Sequence, residues 1–343
     1  MSYRMDRRAF VAVVSACLLA VLLALSMRVA TGQSAQSHVP RVGFVGVRPE
    51  AEGLLTPTVR NFVIGMQEHG YSEGRDYVFE YRATLGQSER FGDLTAELVR
   101  LPVDVLLVGV CGEPLNAARR ATRTIPIVVM ACNDDLVETR IVQSLNRPGG
   151  NITGLSKLTP ELAAKRLEVL KETIPTVSRI AVLWNPAYSN FNADWRELRK
   201  AANRLEIVLY PVEFRRVDEL EGAFAEIDRQ HVDALITFSD QLTYVYAKRV
   251  AEIAATIRIP AMYAFGEVPD AGGFISYGPI LPDLFRRAGG YVAKILRGAS
   301  PGDLPIEQAD KFELVINLKT AKQLGITIPE SVLLRADRVI QAD

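Results

Sequence analysis

Several stretches of this 343-residue chain place polar side chains directly after an apolar run. "RIAVLW" gives way to "NPAYSN", which gathers Asn185, Tyr188, Ser189 and Asn190 into one short loop. Two amides, a hydroxyl and a phenol can hydrogen-bond a small polar group while a ring covers apolar surface. "ALITF" is followed by Ser239 and Asp240. Their oxygens could satisfy the N-terminus of a helix beginning near Gln241, or the Asp240 carboxylate could meet a ligand ammonium. Tyr263 and Phe265 end a third run, and Tyr277 lies in "GGFISYG". In the first half of the chain the matching ends hold Gly46 in "GVRPE", Cys111 and Gly112 in "VCGEP", and Asn133 in "MACNDD". Asn133 and Asp134 also read as plain caps of a following amphipathic helix.

The aromatic residues are unevenly spread. Trp184, Tyr188, Phe238, Tyr263, Phe265 and Tyr277 all fall near the ends of apolar runs in the second half. Aromatic walls with a few polar groups suit a small organic ligand with an apolar body. Trp184 and Phe238 themselves read better as inward-packed core. Exposed helix N-termini beside such a site could hold a carboxylate through backbone N–H groups. An amino acid or an aromatic or aliphatic acid is the ligand this combination favours. The plainer reading of "NPAYSN" is a solvated loop that caps the next helix through Asn190 or Asn192.

Catalysis finds no comparable support. His38, His69 and His231 stand apart from any serine, cysteine or carboxylate pattern. The chain has no G-x-S-x-G, P-loop, G-x-G-x-x-G or H-E-x-x-H segment. No catalytic residue, metal ligand or cofactor is expected. Lys plus Arg equal Asp plus Glu at 40 each, so no basic field points to nucleic acid.

The candidate loops need elements to hold them. "RVGFVGV", "YVFEYR", "VDVLLVGV" and "IPIVVMA" are rich in Val, Ile and Phe and read as strands. "TVRNFVIGMQEHG", "ERFGDLTAELVRL" and "EPLNAARRAT" between them carry apolar residues at helical spacing. Apolar strands separated by helices imply a parallel sheet covered on both faces. The pattern then begins again. "RVGFV" at 41 is echoed by "RIAVL" at 179, "VDVLLVG" at 103 by "VDALITF" at 232, and "TIPIVVMA" at 124 by "RIPAMYAF" at 258. Three matches in one order predict two similar α/β lobes. "LNRPGGNITGLS" between them suits a crossover. A helix follows with Thr159 as N-cap and Pro160 at its first position. After the second lobe comes "LPDLFRRAGGYVAKILRG", with Gly298 closing the helix. In open parallel sheets, ligands bind beyond the carboxyl ends of the strands. All the candidate loops lie at such ends, so two facing lobes would bring them to one cleft.

The first residues differ in kind. "MSYRMDRR" is cationic, "AFVAVVSACLLAVLLALSM" is apolar, and "RVATGQSAQS" is small and polar. That order is a secretory signal, expected over residues 1–32, with cleavage after Ala30-Thr31-Gly32 or near Ala35. "DRRAFV" partly resembles a twin-arginine signal, and residues 9–27 are long enough to stay as a membrane anchor. "VSAC" around Cys17 resembles a lipoprotein cleavage box, but an apolar run rather than a polar tether follows it. Removing residues 1–32 leaves 36 basic and 39 acidic residues, a mildly acidic chain destined for the periplasm.

"RPGGNITGLS", "ELAAKRLEVLKE", "RIAVLWNPA", "GGFISYGP" and above all "KFELVINLKTAKQLGITIP" carry a family resemblance. Over nearly all of residues 40–335 the chain resembles ABC-transporter substrate-binding proteins, a family that includes tryptophan- and tyrosine-binding lipoproteins. The resemblance implies the type I periplasmic-binding-protein fold: α/β, two Rossmann-like lobes with parallel sheets joined by three crossovers. Carried over here, the crossovers fall near Gly154, Tyr277 and Phe312. Lobe one is then 40–153 plus 279–311, and lobe two is 154–278 plus 312–340. "VCGEP" stands where many relatives carry Gly-Thr-Pro.

Cys111 and Cys132 survive removal of the leader and end successive strands. Neighbouring strands lie ~4.8 Å apart, so the Cα separation a disulfide needs is within reach. The alternative is a pair of small buried thiols. The function expected is an exported monomer that captures a small-molecule ligand and delivers it to an ABC permease. A periplasmic sensor reporting to a membrane receptor is the other reading, and a secreted hydrolase a third.

Overall fold

The computed structural model describes residues 38–47, 56–157, 161–186, 188 and 190–341. The signal expected over 1–32, the helix cap expected at Thr159 and Pro160, and the site candidate Ser189 lie outside the described residues.

The first half alternates strand and helix: β1 (Arg41–Gly46), α1 (Pro57–Glu68), β2 (Val78–Ala83), α2 (Phe91–Arg100), β3 (Val105–Val108), α3 (Glu113–Ala121), β4 (Ile127–Cys132) and β5 (Ile152–Ser156). The second repeats the plan with α4 (Glu161–Thr173), β6 (Arg179–Trp184), α5 (Phe191–Arg204), β7 (Val208–Glu213), α6 (Leu220–Arg229) and β8 (Ala234–Thr237). It continues through α7 (Gln241–Val245), α8 (Ala247–Thr256), β9 (Ala261–Tyr263), α9 (Glu267–Asp270) and β10 (Ile275–Pro279). Then follow α10 (Leu281–Leu296), β11 (Glu307–Gln308), β12 (Phe312–Asn317), α11 (Leu318–Leu324), α12 (Glu330–Leu333) and β13 (Arg338–Ile340).

These strands form two sheets, ordered β11-β5-β4-β3-β1-β2 and β13-β12-β10-β9-β8-β6-β7. Strands β3, β4 and β5 are buried along their whole length, as are β8 and β9, because helices cover both faces. The repeat legible in the sequence is therefore a repeat of topology: β1 and β6 stand at the same place in their sheets, as do β3 and β8. One signature of it is chemical. Asp104 Oδ2 accepts from the Arg41 amide at 2.7 Å, and Asp233 Oδ2 accepts from the Arg179 amide at 2.9 Å. The Val-Asp pair opening each inner strand thus pins the start of the strand beside it.

Two departures from expectation stand out. The second sheet is not wholly parallel, since β12 runs antiparallel to β10. Just past the paired residues, the Ile280 amide donates to the Lys311 carbonyl at 3.1 Å. The amphipathic helix expected after Asn133 and Asp134 is a set of turns instead. Asp135 Oδ1 accepts from the amides of Val137 and Glu138 at 3.0 and 2.9 Å, and Arg140 takes a positive φ of 54°, which breaks helical propagation.

The chain passes between sheets after β5, after β10 and after β11. Helix α10, which follows β10, packs against α1 and β4 of the first sheet. Glycine makes that helix contact close: a Cβ on Gly65 would lie 1.9 Å from the Arg286 carbonyl oxygen, and one on Gly289 would lie 2.6 Å from the Met66 nitrogen. Gly298, at φ 99°, lies just past its end as expected.

Candidate functional site

Strand ends from both sheets converge on two adjoining cavities that share Val47, Val110, Asp240 and Gln241. The larger has a volume of about 380 Å³. Its walls are mainly apolar, with Phe44, Tyr81 and Phe285 on one side and Tyr244 and Phe265 on the other. Tyr244 meets the rings of Phe265 and Phe285 edge-on, at centroid distances of 5.3 and 6.1 Å. Four charged residues interrupt this lining: Lys157, Asp240, Glu267 and the largely exposed Lys248, which lies 3.9 Å from Glu252 Oε1. The smaller cavity, about 60 Å³, is bordered by Cys111 and Asn133 from the first-half loops and by Asn185, Tyr188 and Ser239 from the second.

Lys157 follows β5 where the chain leaves the first sheet, and its side chain is buried. Its Nζ donates to the Ser239 Oγ and carbonyl at 3.1 and 3.3 Å and lies 4.8 Å from the centre of the Phe265 ring. Burial brings its ammonium down to about 8, against the opposing pull of Asp240. Of the two roles weighed for Asp240, the structure shows the cap and places the residue at the cavities. It caps α7, with Oδ1 accepting from the Thr243 amide at 3.0 Å and Oδ2 from the Thr243 hydroxyl, and it also lines both cavities. Burial raises its carboxyl above the usual range, and the Thr243 bonds and Lys157 hold that rise back.

Beside the smaller cavity lies a buried polar chain. The Tyr188 phenol donates to Asp194 Oδ2 at 2.7 Å, and Asn190 Nδ2 donates to Asp194 Oδ1 at 2.9 Å. Asn133, on the other lobe, acts on the same phenol and opposes the rise that burial gives its pKa. The fully buried Arg166, whose Nε donates to the Tyr277 carbonyl at 2.7 Å, supplies positive charge to the group. Burial lifts the Asp194 carboxyl to about 6, with Tyr188 and Arg166 opposing.

Of the candidates read from sequence, Gly46, Asp240 and Phe265 border the larger cavity, while Cys111, Asn133, Asn185, Tyr188 and Ser239 border the smaller. Four stand off both walls. Tyr263 is buried core beneath Gly273. Tyr277 offers its carbonyl to Arg166. Asn190 sits at the N-cap of α5 but turns its side chain to Asp194, and Gly112 holds a φ of 81° at the start of α3. Phe238 is core, as its plainer reading held, and Trp184 stacks on Phe191 at 3.9 Å. Cys111 and Cys132 are joined in a disulfide, with their Cα atoms 4.9 Å apart.

Among the charged residues that escaped the sequence reading, Lys157, Arg166 and Asp194 each carried a signal. Arg166 shares the buried face of α4 with Ala163, Leu167 and Leu170, and Asp194 shares that of α5 with Leu198 and Ala201. A charge on an apolar stripe must be partnered. Lys157 ends the strand quoted as a crossover, at the carboxyl end where ligands bind.

Two lobes of mostly parallel strands with a mixed apolar and charged cleft between strand ends define a type I periplasmic binding protein. Residues 51–340 match the family described as ABC transporter substrate binding protein, and the chain belongs to that family of solute-binding proteins. The tyrosine-binding protein of Clostridioides difficile is 25% identical over 272 residues, spanning 79% of this chain and 77% of that protein. Among solved structures, a conserved domain protein of Vibrio cholerae is 30% identical and superposes with a TM-score of 0.79, covering 88% of this chain and 99% of that one. The ABC domain of Streptococcus pneumoniae in complex with L-Trp is 24% identical, with a TM-score of 0.77 and the same coverage. Among the described residues no helix is long and apolar enough to cross a membrane, and no cluster of His, Cys, Asp or Glu could hold a metal ion.

Proposed function

We propose that this chain is an exported, monomeric solute-binding protein that encloses an amino acid or an aromatic or aliphatic acid between its lobes and delivers it to an ABC permease. The observation that carries this reading is the larger cavity: about 380 Å³, aromatic-walled, with a buried lysine, an exposed lysine and two carboxylates in its lining. That volume suits one small organic molecule, and the few charged groups would fix its orientation. Lobe one is taken as 40–153 with 279–311, and lobe two as 154–278 with 312–340. The reading is in keeping with the tyrosine named for the C. difficile relative and the L-Trp of the S. pneumoniae complex.

The mechanism follows from the walls. Phe44 and Tyr81 come from one sheet's elements, Asp240 and Phe265 from the other's. A ligand touching both sets stabilises the closed arrangement over an open one, and the crossovers carry the hinge. Only the closed form would present the surface that engages the permease.

A thermal-shift screen of residues 33–343 against amino acids, aromatic acids, short fatty acids and nucleosides tests the reading. A true ligand at one hundred times its dissociation constant adds ~2.7 kcal/mol. Hits confined to one class of acid or amino acid would support solute capture. A panel with no hit would count against it and favour a sensor that responds to some other ligand.

A further inference from the structure

We infer that Glu267 selects ligands bearing a protonated amine, so that the large cavity takes a zwitterion with an apolar body rather than a simple carboxylic acid. The inference rests on the reading of that cavity as the solute site, and it narrows the ligand class.

One oxygen of the half-buried Glu267 carboxylate has no hydrogen-bond partner. The residue borders the large cavity at the start of α9, and that oxygen, Oε1, is shielded from solvent. A carboxylate oxygen in this state is costly unless a cation or donor meets it. The protein's own cations near it are committed. Arg338 is paired with Asp270 and lies 3.5 Å from Glu313 Oε2, so one guanidinium already serves two carboxylates. Lys157 is bound to Ser239 and acts on Asp240, and Lys248, also at the cavity, is largely exposed and lies 3.9 Å from Glu252. Asp240, for its part, is satisfied by Thr243.

The surroundings make Glu267 hungrier for positive charge. Glu313 packs so close to the preceding residue that a Cβ on Gly266 would lie 2.2 Å from its Oε1. Burial pushes the Glu267 carboxyl up to about 7; its own backbone amide opposes the rise, Glu313 and Asp270 add to it, and Arg338 opposes it. An arriving ammonium would relieve desolvation and repulsion together. The other end of a zwitterion has its own complement, because Lys157 lies on the same cavity wall and its charge is felt by Glu267. The rings of Phe265, Tyr244 and Phe285 line the same cavity. A deaminated acid could satisfy Lys157 and the rings but would leave the shielded Glu267 oxygen unmet.

The test is calorimetric titration of the purified protein with matched pairs that differ only in the amine. The probes are L-tryptophan with indole-3-propionate, L-tyrosine with 3-(4-hydroxyphenyl)propionate, L-phenylalanine with 3-phenylpropionate, and L-leucine with 4-methylpentanoate. For at least one pair, the amino acid should bind about tenfold or more tightly than its deaminated partner. Glu267→Gln should bring that ratio toward one by weakening the amino acid and leaving the acid unchanged. The melting temperature of the unliganded variant should stay level or rise, since an unmet charge has been removed. Equal or tighter binding of a deaminated acid would overturn the inference while leaving solute capture intact. So would a Gln variant that keeps the wild-type ratio. If none of the eight probes binds, the cavity reading fails and this inference with it. The wild-type comparison decides the matter even if the variant does not fold.

Discussion

Lys157, which directly follows the first-sheet strand β5, donates to the hydroxyl of Ser239, in the loop after the second-sheet strand β8, at 3.1 Å. The contact ties the end of one sheet to a loop of the other. It also parks an ammonium on the cavity wall, where a ligand carboxylate could replace part of its protein coordination. A Lys157→Met variant keeps the stem and removes the charge. Loss of a charge-assisted contact should weaken binding of a carboxylate ligand by about ten- to a hundredfold. The pH dependence has a definite sign. The folded-state ammonium titrates near about 8, below its value in an unfolded chain. Carboxylate affinity should therefore fall as pH rises through about 8. Stability should move the other way: the unfolded chain binds the extra proton above that point, so folding free energy attributable to this lysine improves between about pH 8 and 10.5. Titrations and melts of wild type and variant across that range check both slopes, and a variant with wild-type affinity would remove Lys157 from the site.

Asp194 and the fully buried Arg166 act on each other electrostatically from the packed helices α5 and α4, while the Asp194 carboxylate takes its hydrogen bonds from Tyr188 and Asn190. Removing one of two opposite buried charges leaves the other without its countercharge, which is destabilising. Arg166→Met should lower stability by about 1–3 kcal/mol, and Asp194→Asn by less, since burial already favours the neutral carboxyl. The double variant should lose much less than the two single losses added together. Asp194 also leaves a mark on the pH profile. Its folded pKa, about 6, lies above the unfolded value, so its favourable contribution is complete below the unfolded pKa and is lost as pH rises through about 6. Denaturant melts from about pH 4 to 7 should show that component in wild type and not in Asp194→Asn. Additive single losses would mean that the two charges do not interact. The phenol of Tyr188 would be best tested as Phe rather than Ala, since its ring is core as well as cleft.

The difference between what could and could not be read from the sequence follows from range. Strands such as "VDVLLVG" and "VDALITF" carry their burial in their own composition, and their recurrence at similar spacing gave the two-lobe plan. Placing Asp240, Tyr188 and Asn133 near a cleft then needed only the rule that ligands gather at strand ends. Side-chain direction is a different kind of information. Tyr263 and Phe265 lie two residues apart, yet one is buried under Gly273 and the other borders the cavity. The turn after Asn133 was missed for a similar reason. Its apolar spacing resembles a helix, but the Asp135 carboxylate binds the next amides and fixes a tighter path. Glu267 was invisible because its significance lies in the pairing of Arg338, seventy-one positions away, with other carboxylates.

The disulfide between Cys111 and Cys132 joins the loop after β3 to the end of β4, with 21 positions between its cysteines. Cys111 borders the smaller cavity, and Cys132 immediately precedes Asn133, the first-lobe partner of the Tyr188 phenol. The bridge therefore fixes two pieces of backbone that meet the second lobe. In the chain-entropy account, closing a loop of this length contributes about 3 kcal/mol. Replacing both cysteines with Ala should lower stability by about that amount. Both thiols would be replaced at buried positions by a smaller side chain, so part of the loss would be packing rather than chain entropy. Reduction by a dithiol separates the two contributions, because it opens the bridge and leaves the sulfur atoms in place. If the bridge positions Asn133, ligand affinity should weaken on reduction even at temperatures where the protein remains folded. Unchanged affinity together with a lower melting temperature would confine the disulfide to stability. An unchanged melting temperature in the reduced protein would show that β3 and β4 hold the lobe without it.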